Sequence, residues 1–414
     1  MGHSAFVPSP IWVAPFVALL LGIAILPLTA PHFWESDLRK LCVSLGLGVP
    51  VLALYLQNAP GALLHSATDY VSFMILLGSL FVIAGGVLMD GDLEATPKVN
   101  VAFLGVGALM ASFVGTTGAS MLLIRPLLRT NAERKHVVHT VVFFIFLVSN
   151  IGGCLTPLGD PPLFLGYLQG VPFTWTLRLA PEWLATTSTL LLIYFIWDRR
   201  LHALEPPERL RLDATRIKPL RIVGTMNLAL LAGVVLSAAF LDAPWREGAL
   251  VTLASLSMAT TSPHIRHANR FSFHPILEVA AVFAGIFLTM VPALDLLRAR
   301  GAALGVTEPW QYFWATGVLS SFLDNAPTYL SFLALGQGQG LAPEVVGVPH
   351  AVLSAISLGA VFMGASTYIG NGPNFMVRAI AESRGVKMPS FGGYMLYSGA
   401  VLIPVFVGVT FLFF

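Results

Sequence analysis

Apolar runs of about 17–25 residues, the length that crosses a hydrocarbon core of roughly 30 Å, recur along the whole chain. They predict spanning helices near 11–30, 40–57, 68–90, 137–155, 180–197, 222–241, 246–262, 275–296, 349–367 and 391–414. Two further apolar stretches, near 98–124 and 308–335, are interrupted by Thr116-Thr117-Gly118 and by Asp324-Asn325-Ala326-Pro327. Irregular backbone survives at membrane depth only where protein or a wet cavity satisfies it. Each of these two stretches therefore reads as a re-entrant hairpin with a polar tip. Two of the spans are broken as well, at 149–162 and at 364–374, so that broken helices cover about 137–165 and 349–374.

The interruptions repeat. Gly153-x-x-Thr156-x-x-Gly159-Asp160-x-Pro162 returns in the second half of the chain as Gly364-x-x-Thr367-x-x-Gly370-Asn371-x-Pro373. Ser112-Phe113, ahead of the first tip, returns at nearly the same offset as Ser321-Phe322. A repeat with so few gaps points to two structural units, 1–197 and 222–414, joined by a polar linker at 198–221 that reads as a cytoplasmic loop. Each unit holds five crossings, one hairpin and one broken helix. An odd number of crossings inverts the second unit relative to the first. The expected fold is an all-α polytopic membrane protein built from two inverted repeats.

Charge sharpens this layout. Only 11% of the 414 residues are charged against 56% hydrophobic, with a mean hydropathy of +0.78. Soluble domains are about 25% charged. A water-soluble fold and a nucleic-acid partner are excluded. If the loops at 31–40, 91–98, 125–136, 198–221, 263–274 and 378–390 face the cytoplasm, they carry 19 of the 23 Lys and Arg residues. That is the asymmetry of the positive-inside rule, and it places both termini outside the cytoplasm. No Lys or Arg precedes the first apolar segment, which reads as a retained helix rather than a secretory signal. Two cysteines, Cys42 and Cys154, make neither a disulfide framework nor a four-ligand metal site.

The candidate chemistry lies at the interruptions. Broken helices free carbonyls that coordinate cations and N–H groups that hold anions. Ser149, Asn150, Thr156, Asn325, Thr328, Thr367, Asn371 and Asn374 add neutral oxygens of the kind hard cations take. Close packing of small residues accounts for any one of these positions but not for matched breaks in both halves. Asp160 and Asp324 stand at predicted breaks, where an ionised Asp costs roughly 2.5–3.5 kcal/mol. A desolvated carboxylate that also binds a cation can trade a proton for Na⁺, and Asp324 is the expected exchange acid. Asp160, followed by Pro161 and Pro162, reads equally as a helix cap. Asp69 and Glu278, at related positions near helix starts in the two halves, are expected to reach water, as is His139 after its basic loop. Arg125 and Arg378 read as cytoplasmic anchors that could also hold an anion. No GxxxxGK[ST] loop and no HExxH occurs, so neither ATP-driven pumping nor metalloprotease chemistry is indicated.

The strings SNIGGCLTPLGDPP at 149–162, FLDNAPT at 322–328 and TYIGNGPNFM at 367–376 resemble the ion transporter superfamily, which includes NhaD-type sodium/proton antiporters, ArsB-type arsenite carriers, citrate carriers and the melanosomal P protein. The resemblance runs over most of the chain. It implies inverted repeats, hairpin tips that meet broken helices at the substrate site, a homodimer and an elevator motion. By motif, it carries cation-site candidates onto Ser149, Asn150, Gly153, Thr156 and Asp160, and onto Asp324, Asn325, Thr328, Thr367 and Asn371. The tips read Thr-Thr-Gly and Asp-Asn-Ala-Pro rather than the Ser-Asn-Thr of the dicarboxylate branch.

The resulting expectation is a secondary transporter in the inner membrane of a bacterium, without enzymatic activity or cofactor. Two intramembrane acids and no clearly buried arginine suggest Na⁺/H⁺ antiport. The alternative is a Na⁺- or H⁺-coupled carrier of citrate, another carboxylate or an oxyanion such as arsenite. Ligand-site candidates are Thr116, Thr117, Gly118, Ser149, Asn150, Gly153, Thr156, Asp160, Asp324, Asn325, Pro327, Thr328, Thr367, Asn371 and Asn374, with Na⁺ expected at Asn150, Asp160, Asp324, Asn325 and Thr367.

Overall fold

A computed structural model describes residues 6–215, 219–340 and 343–414. Residues 1–5 of the first predicted unit, 216–218 of the predicted linker and 341–342 of the loop before the second broken helix lie outside the described residues.

The first half runs α1 (Ala14–Thr29), the single turn α2 (Pro31–Trp34), α3 (Asp37–Asn58), α4 (Pro60–Ala84), β1 (Leu88–Asp90), α5 (Pro97–Val114) and α6 (Thr116–Thr130). It continues through α7 (Val138–Leu147), a 3-10 turn at Ile151–Cys154, α8 (Pro161–Leu168) and α9 (Ala180–His202). After α10 (Pro207–Thr215) and β2 (Arg221–Val223) come α11 (Met226–Phe240), α12 (Trp245–Thr260), α13 (Pro263–Ala268), α14 (His274–Thr289) and α15 (Val291–Arg300). The chain ends with α16 (Pro309–Phe322), α17 (Asn325–Gly338), α18 (His350–Met363), a 3-10 turn at Gly364–Ser366, α19 (Gly372–Ser383) and α20 (Phe391–Phe413). Proline opens α4, α5, α8 and α16, where its missing N–H costs nothing and its fixed φ suits the first turn.

The succession from α5 to α9 recurs from α16 to α20: hairpin, helix, 3-10 turn, short helix, long helix. The long helices that close the two series, Ala180–His202 and Phe391–Phe413, are equal in length. Among the described residues, seven helices are long and apolar enough to cross a membrane. Along α7 and into its C-cap, every side chain from Val141 to Val148 is fully buried, as expected of a helix that is hydrophobic all round. Apolar side chains such as Leu396 and Phe411 point outward from α20, where lipid is the solvent.

Three details differ from the pattern along the chain. The linker is not a plain loop: it contains α10, and β2 pairs antiparallel with β1 through Leu88↔Val223, Met89↔Ile222 and Asp90↔Arg221. Helix α4 starts at Pro60, well ahead of the apolar run. Pro60 opens its first turn, and Ser66 Oγ donates to Phe287 O at 2.5 Å, which satisfies that hydroxyl against a helix of the second half. Limb α5, read as part of a hairpin, is by length and composition one of the seven potential spans. It nonetheless turns back at once, because Gly115 adopts φ +80 and α6 begins at the next residue. A left-handed backbone of this kind suits glycine.

Loops that the charge pattern puts on one side do meet. Lys40 pairs with Glu278 at 2.5 Å and Asp37 with His274 at 2.9 Å. Arg129 reaches Asp90 at 3.3 Å, and Arg134 reaches Asp198 at 2.6 Å. A separate network joins Asp69, Gln169 and Arg298.

Candidate functional site

Four helices begin at one point. Gly115 caps α6, Asp160 caps α8, Asp324 caps α17 and Asn371 caps α19. The Asp160 carboxylate, 1% exposed, joins these starts. Thr116 Oγ1 donates to its Oδ1 at 2.8 Å, Asn371 Nδ2 to the same oxygen at 3.1 Å, and Asn325 Nδ2 to Oδ2 at 2.5 Å. Two hairpin tips and both broken helices are thus tied through one carboxylate. Among the described residues no Lys, Arg or His ion-pairs with it.

Backbone close to backbone makes this meeting possible. Thr116 N–H donates to Gly159 O at 2.7 Å. A Cβ on Gly159 would lie 2.2 Å from Gly153 O, and one on Gly370 would lie 2.6 Å from Gly364 O, so only glycine fits either position. Each break is then clamped to its hairpin by the same bonds. Thr156 Oγ1 donates to Ser112 O, and Ser112 Oγ to Gly152 O at 2.5 Å. In the second half, Thr367 Oγ1 donates to Ser321 O, and Ser321 Oγ to Met363 O at 3.0 Å. Ser112 and Ser321 are absent from the candidates drawn from sequence. The repeated Ser-Phe pair marked them, but only as a sign of duplication.

A second layer of amides lies beside the first. Asn150 Nδ2 donates to Asn374 Oδ1 at 2.7 Å, while Asn374 Nδ2 donates to Gly364 O and Thr367 O at 2.9 and 2.8 Å. Asn371 Nδ2 also reaches Ser149 O at 3.1 Å, and Ser149 Oγ lies 2.8 Å from Ser120 Oγ. Asn150 Oδ1 is buried without a hydrogen-bond partner among the described residues. It is an oxygen of the kind a hard cation takes.

The two acids differ in their partners. Asp324 is the side chain that caps, accepting Ala326 N–H at 3.0 Å, and it makes no hydrogen bond to Asp160 or Asn371. Asp160 makes no side-chain cap bond, because both its oxygens are turned to the donors from the other elements. The expected tips also shift: Thr116 and Asn325 are the first residues of α6 and α17, so the turns themselves fall at 115 and 323–324. Thr328 Oγ1 bonds back to Asp324 O at 2.8 Å, and Pro327 O accepts from Ser331 Oγ at 2.8 Å, so both serve their own helix. Thr117 and Gly118 line a cavity of about 30 Å³ between α4, the first tip and Asp160. That volume admits a water or a monatomic ion.

Residues expected to meet water are held elsewhere. His139 is 3% exposed, stacked on Tyr194, with Nε2 2.8 Å from Asp198 Oδ1. A basic loop precedes it, but Asp198 brings it into a buried cluster with Arg134. Asp69 is also buried, accepting from Gln169 Nε2 at 2.8 Å, whereas Glu278 is half exposed beside Lys40. Arg378 pairs with Glu382 at 2.9 Å and lies over Tyr368, and Arg125 lines a separate small cavity with Asn269 and Phe271. Neither arginine makes a hydrogen bond to Asp160.

A multi-pass helical membrane protein whose matched helix breaks enclose one buried polar centre is built as a carrier. The chain belongs to the CitMHS_2 family, described as "Putative citrate transport", which matches residues 7–414. Comparison with the curated proteins gives no match.

Proposed function

We propose that this chain is a cation-coupled secondary carrier of citrate or a related carboxylate, in which a proton or Na⁺ neutralises Asp160 and so makes room for the anion. The observation that carries the reading is the convergence of four helix N-termini on that one carboxylate. Each N-terminus is worth about half a positive charge, so together they bring roughly +2 to the point where Asp160 sits. With Asp160 ionised, much of that field is spent internally. With Asp160 neutral, its hold on the Thr116, Asn325 and Asn371 side chains weakens, and the positive field of the helix starts is left for a carboxylate ligand. Binding of cation and anion is then favourable together, which is the basis of symport. The family description supports citrate over the antiporter reading.

The rest of the proposal follows the repeated architecture: two inverted units, 1–197 and 222–414, whose hairpins and broken helices move as one block in an elevator-like step. It also includes a homodimer in a bacterial inner membrane, with both termini outside the cytoplasm.

Na⁺/H⁺ antiport is the second reading, favoured by one observation: Asp160 has only neutral partners and a free amide oxygen, Asn150 Oδ1, belongs to the adjoining layer. Proteoliposomes distinguish the two. Labelled citrate accumulating under an imposed pH or Na⁺ gradient, and no proton movement on adding NaCl alone, is the expected result. Proton flux on adding Na⁺ or Li⁺ without any carboxylate uptake would replace the carrier reading with antiport.

A further inference from the structure

Helices α6 and α19 both start at the Asp160 centre and run side by side to a second, unrelated feature. Their far ends enclose a groove of about 460 Å³, within the range that holds small-molecule ligands. Arg129, Arg134, Lys135, Arg384 and Lys387 line it, and no carboxylate does. Glu133 lies between Ala132 and Arg134 without lining the groove, and the other nearby acids are turned to other partners. Glu205 accepts the backbone N–H groups of Lys135 and His136, and Glu382 holds Arg378. Asp90 and Asp198 offset Arg129 and Arg134. That leaves Lys135, Arg384 and Lys387, all exposed, without an ion pair among the described residues. Arg125 adds to the same field, lying within electrostatic reach of Arg129, Arg270 and Arg384.

Topogenic charge alone requires cations on this side of the membrane, but not their gathering around a cavity. Two helix C-termini supply about −1 in total, less than the uncompensated charge. A cleft lined by one sign of charge concentrates counter-ions. The floor of this one is aliphatic: Leu128, Val137, Val138 and Val386. Cations above methyl groups match a ligand that is anionic at one end and apolar at the other.

We propose that this groove binds the phosphate headgroup of an anionic phospholipid, with its first acyl methylenes on the aliphatic floor. Basic pockets between membrane helices on the cytoplasmic side suit such headgroups. The groove joins loop 131–137 of the first half to loop 384–387 of the second, so a bound lipid would bridge the halves at the ends of the two helices that carry the transport centre.

The test is lipid retention by the full chain in native mass spectrometry, together with its unfolding temperature in detergent. The probes are phosphatidylglycerol, phosphatidylcholine and inorganic phosphate. Removing a surface cation costs roughly fivefold in affinity, so Arg384→Gln/Lys387→Gln should hold phosphatidylglycerol about thirtyfold more weakly than the parent. Both side chains are exposed and make no ion pair among the described residues, so folding is spared. Arg199→Gln/Arg200→Gln, which removes the same charge from the end of α9, should leave retention unchanged. Equal loss in the two double variants would reduce the effect to general surface charge and overturn the site. Stabilisation by inorganic phosphate as large as that by phosphatidylglycerol would overturn the lipid assignment in favour of a free anion. Equal retention of phosphatidylcholine would overturn both.

Discussion

The two halves of this molecule meet at their centre with the same backbone and different charge. The N-cap of the helix after the break is Asp160 in the first half and Asn371 in the second. The first residue of the returning hairpin limb is Thr116 in one and Asn325 in the other. All four side chains meet, but three donate and only Asp160 accepts. The matching elements make a symmetric frame of helix starts, and a single carboxylate breaks its symmetry. A cation that titrates or binds Asp160 acts on both halves at once, because each half contributes a donor to it.

The sharpest way to break the comparison is Asp160→Asn. It keeps the shape and removes the charge to which the proposed coupling assigns cation binding. Gradient-driven citrate accumulation should fall to background, while citrate exchange between the two sides of the liposome persists. The double swap Asp160→Asn/Asn371→Asp moves the carboxylate to the matching position. Recovery of coupled uptake would show that the two caps are interchangeable. Loss of exchange as well in Asp160→Asn would mean that the carboxylate holds the helix starts together and does no coupling.

A second difference is structural. The first half is fastened at its base by a buried ion network with no counterpart among the described residues of the second. Arg134 spans Asp198 through bonds of 2.6 and 3.1 Å, with His139 on the same carboxylate. The position in the second half that matches His139 is His350, which accepts from Trp175 Nε1 at 2.9 Å and stacks on that ring. Breaking a buried pair from one side costs about 3–5 kcal/mol. Arg134→Ala should lower thermal stability by that order, with normal transport per folded molecule. Asp198→Asn should be milder, since the amide oxygen can still accept.

Around Asp160 itself the halves contribute unequally. Asn325 donates at 2.5 Å and Thr116 at 2.8 Å, and a hydrogen bond to a charged group is worth about 1.5–3 kcal/mol. Asn325→Ala leaves the ionised carboxylate without this donor and should lower thermal stability by about that amount. Thr116→Val should cost less, since Asn371 still donates to the same oxygen. Equal losses would mean that the two hairpins grip Asp160 alike. Bond for bond, the clamps are smaller still. Thr156→Val removes a bond to the hairpin and one from Leu158 N–H, and Thr367→Val removes a bond to the hairpin and two from Ile369 and Gly370 N–H; at about 0.5–1.5 kcal/mol per bond, Thr367→Val should lower the unfolding midpoint more.

The helix breaks were legible because each interrupts an apolar run with residues that do not continue a helix, such as Gly159 and Pro162. The acids were legible as residues but not in their partners. Asp324 and Asp160 stand in similar polar strings, and only the fold shows which one is turned to the other half. The Arg134–Asp198 pair was hidden for a different reason. Each charge lies at the end of a predicted span, where water is the ordinary partner, and 64 residues separate them. The linker helix is polar and short, with no apolar stripe to announce it.

That helix gives the smallest and most local test. Asp213, on α10, accepts Ala95 N–H at 2.8 Å and ties the linker to the first half alone. Burial pushes its carboxyl above the ordinary value of 3.8, and Glu133 and Glu94 add to this, while the Ala95 N–H and Arg134 pull it back. The folded protein therefore holds this proton more tightly than the unfolded chain does. Stability from this group grows as pH falls through the raised value and is lost above it. Asp213→Asn keeps an acceptor for Ala95 and removes the titration. Its unfolding temperature should match or slightly exceed the parent's at neutral pH, and the parent should gain on it in mildly acidic buffer just above the ordinary carboxylate range. A parent that instead loses ground there would mean that ionised Asp213 is favoured by its partners, so that the linker is fastened to the first half by charge and not only by a backbone hydrogen bond.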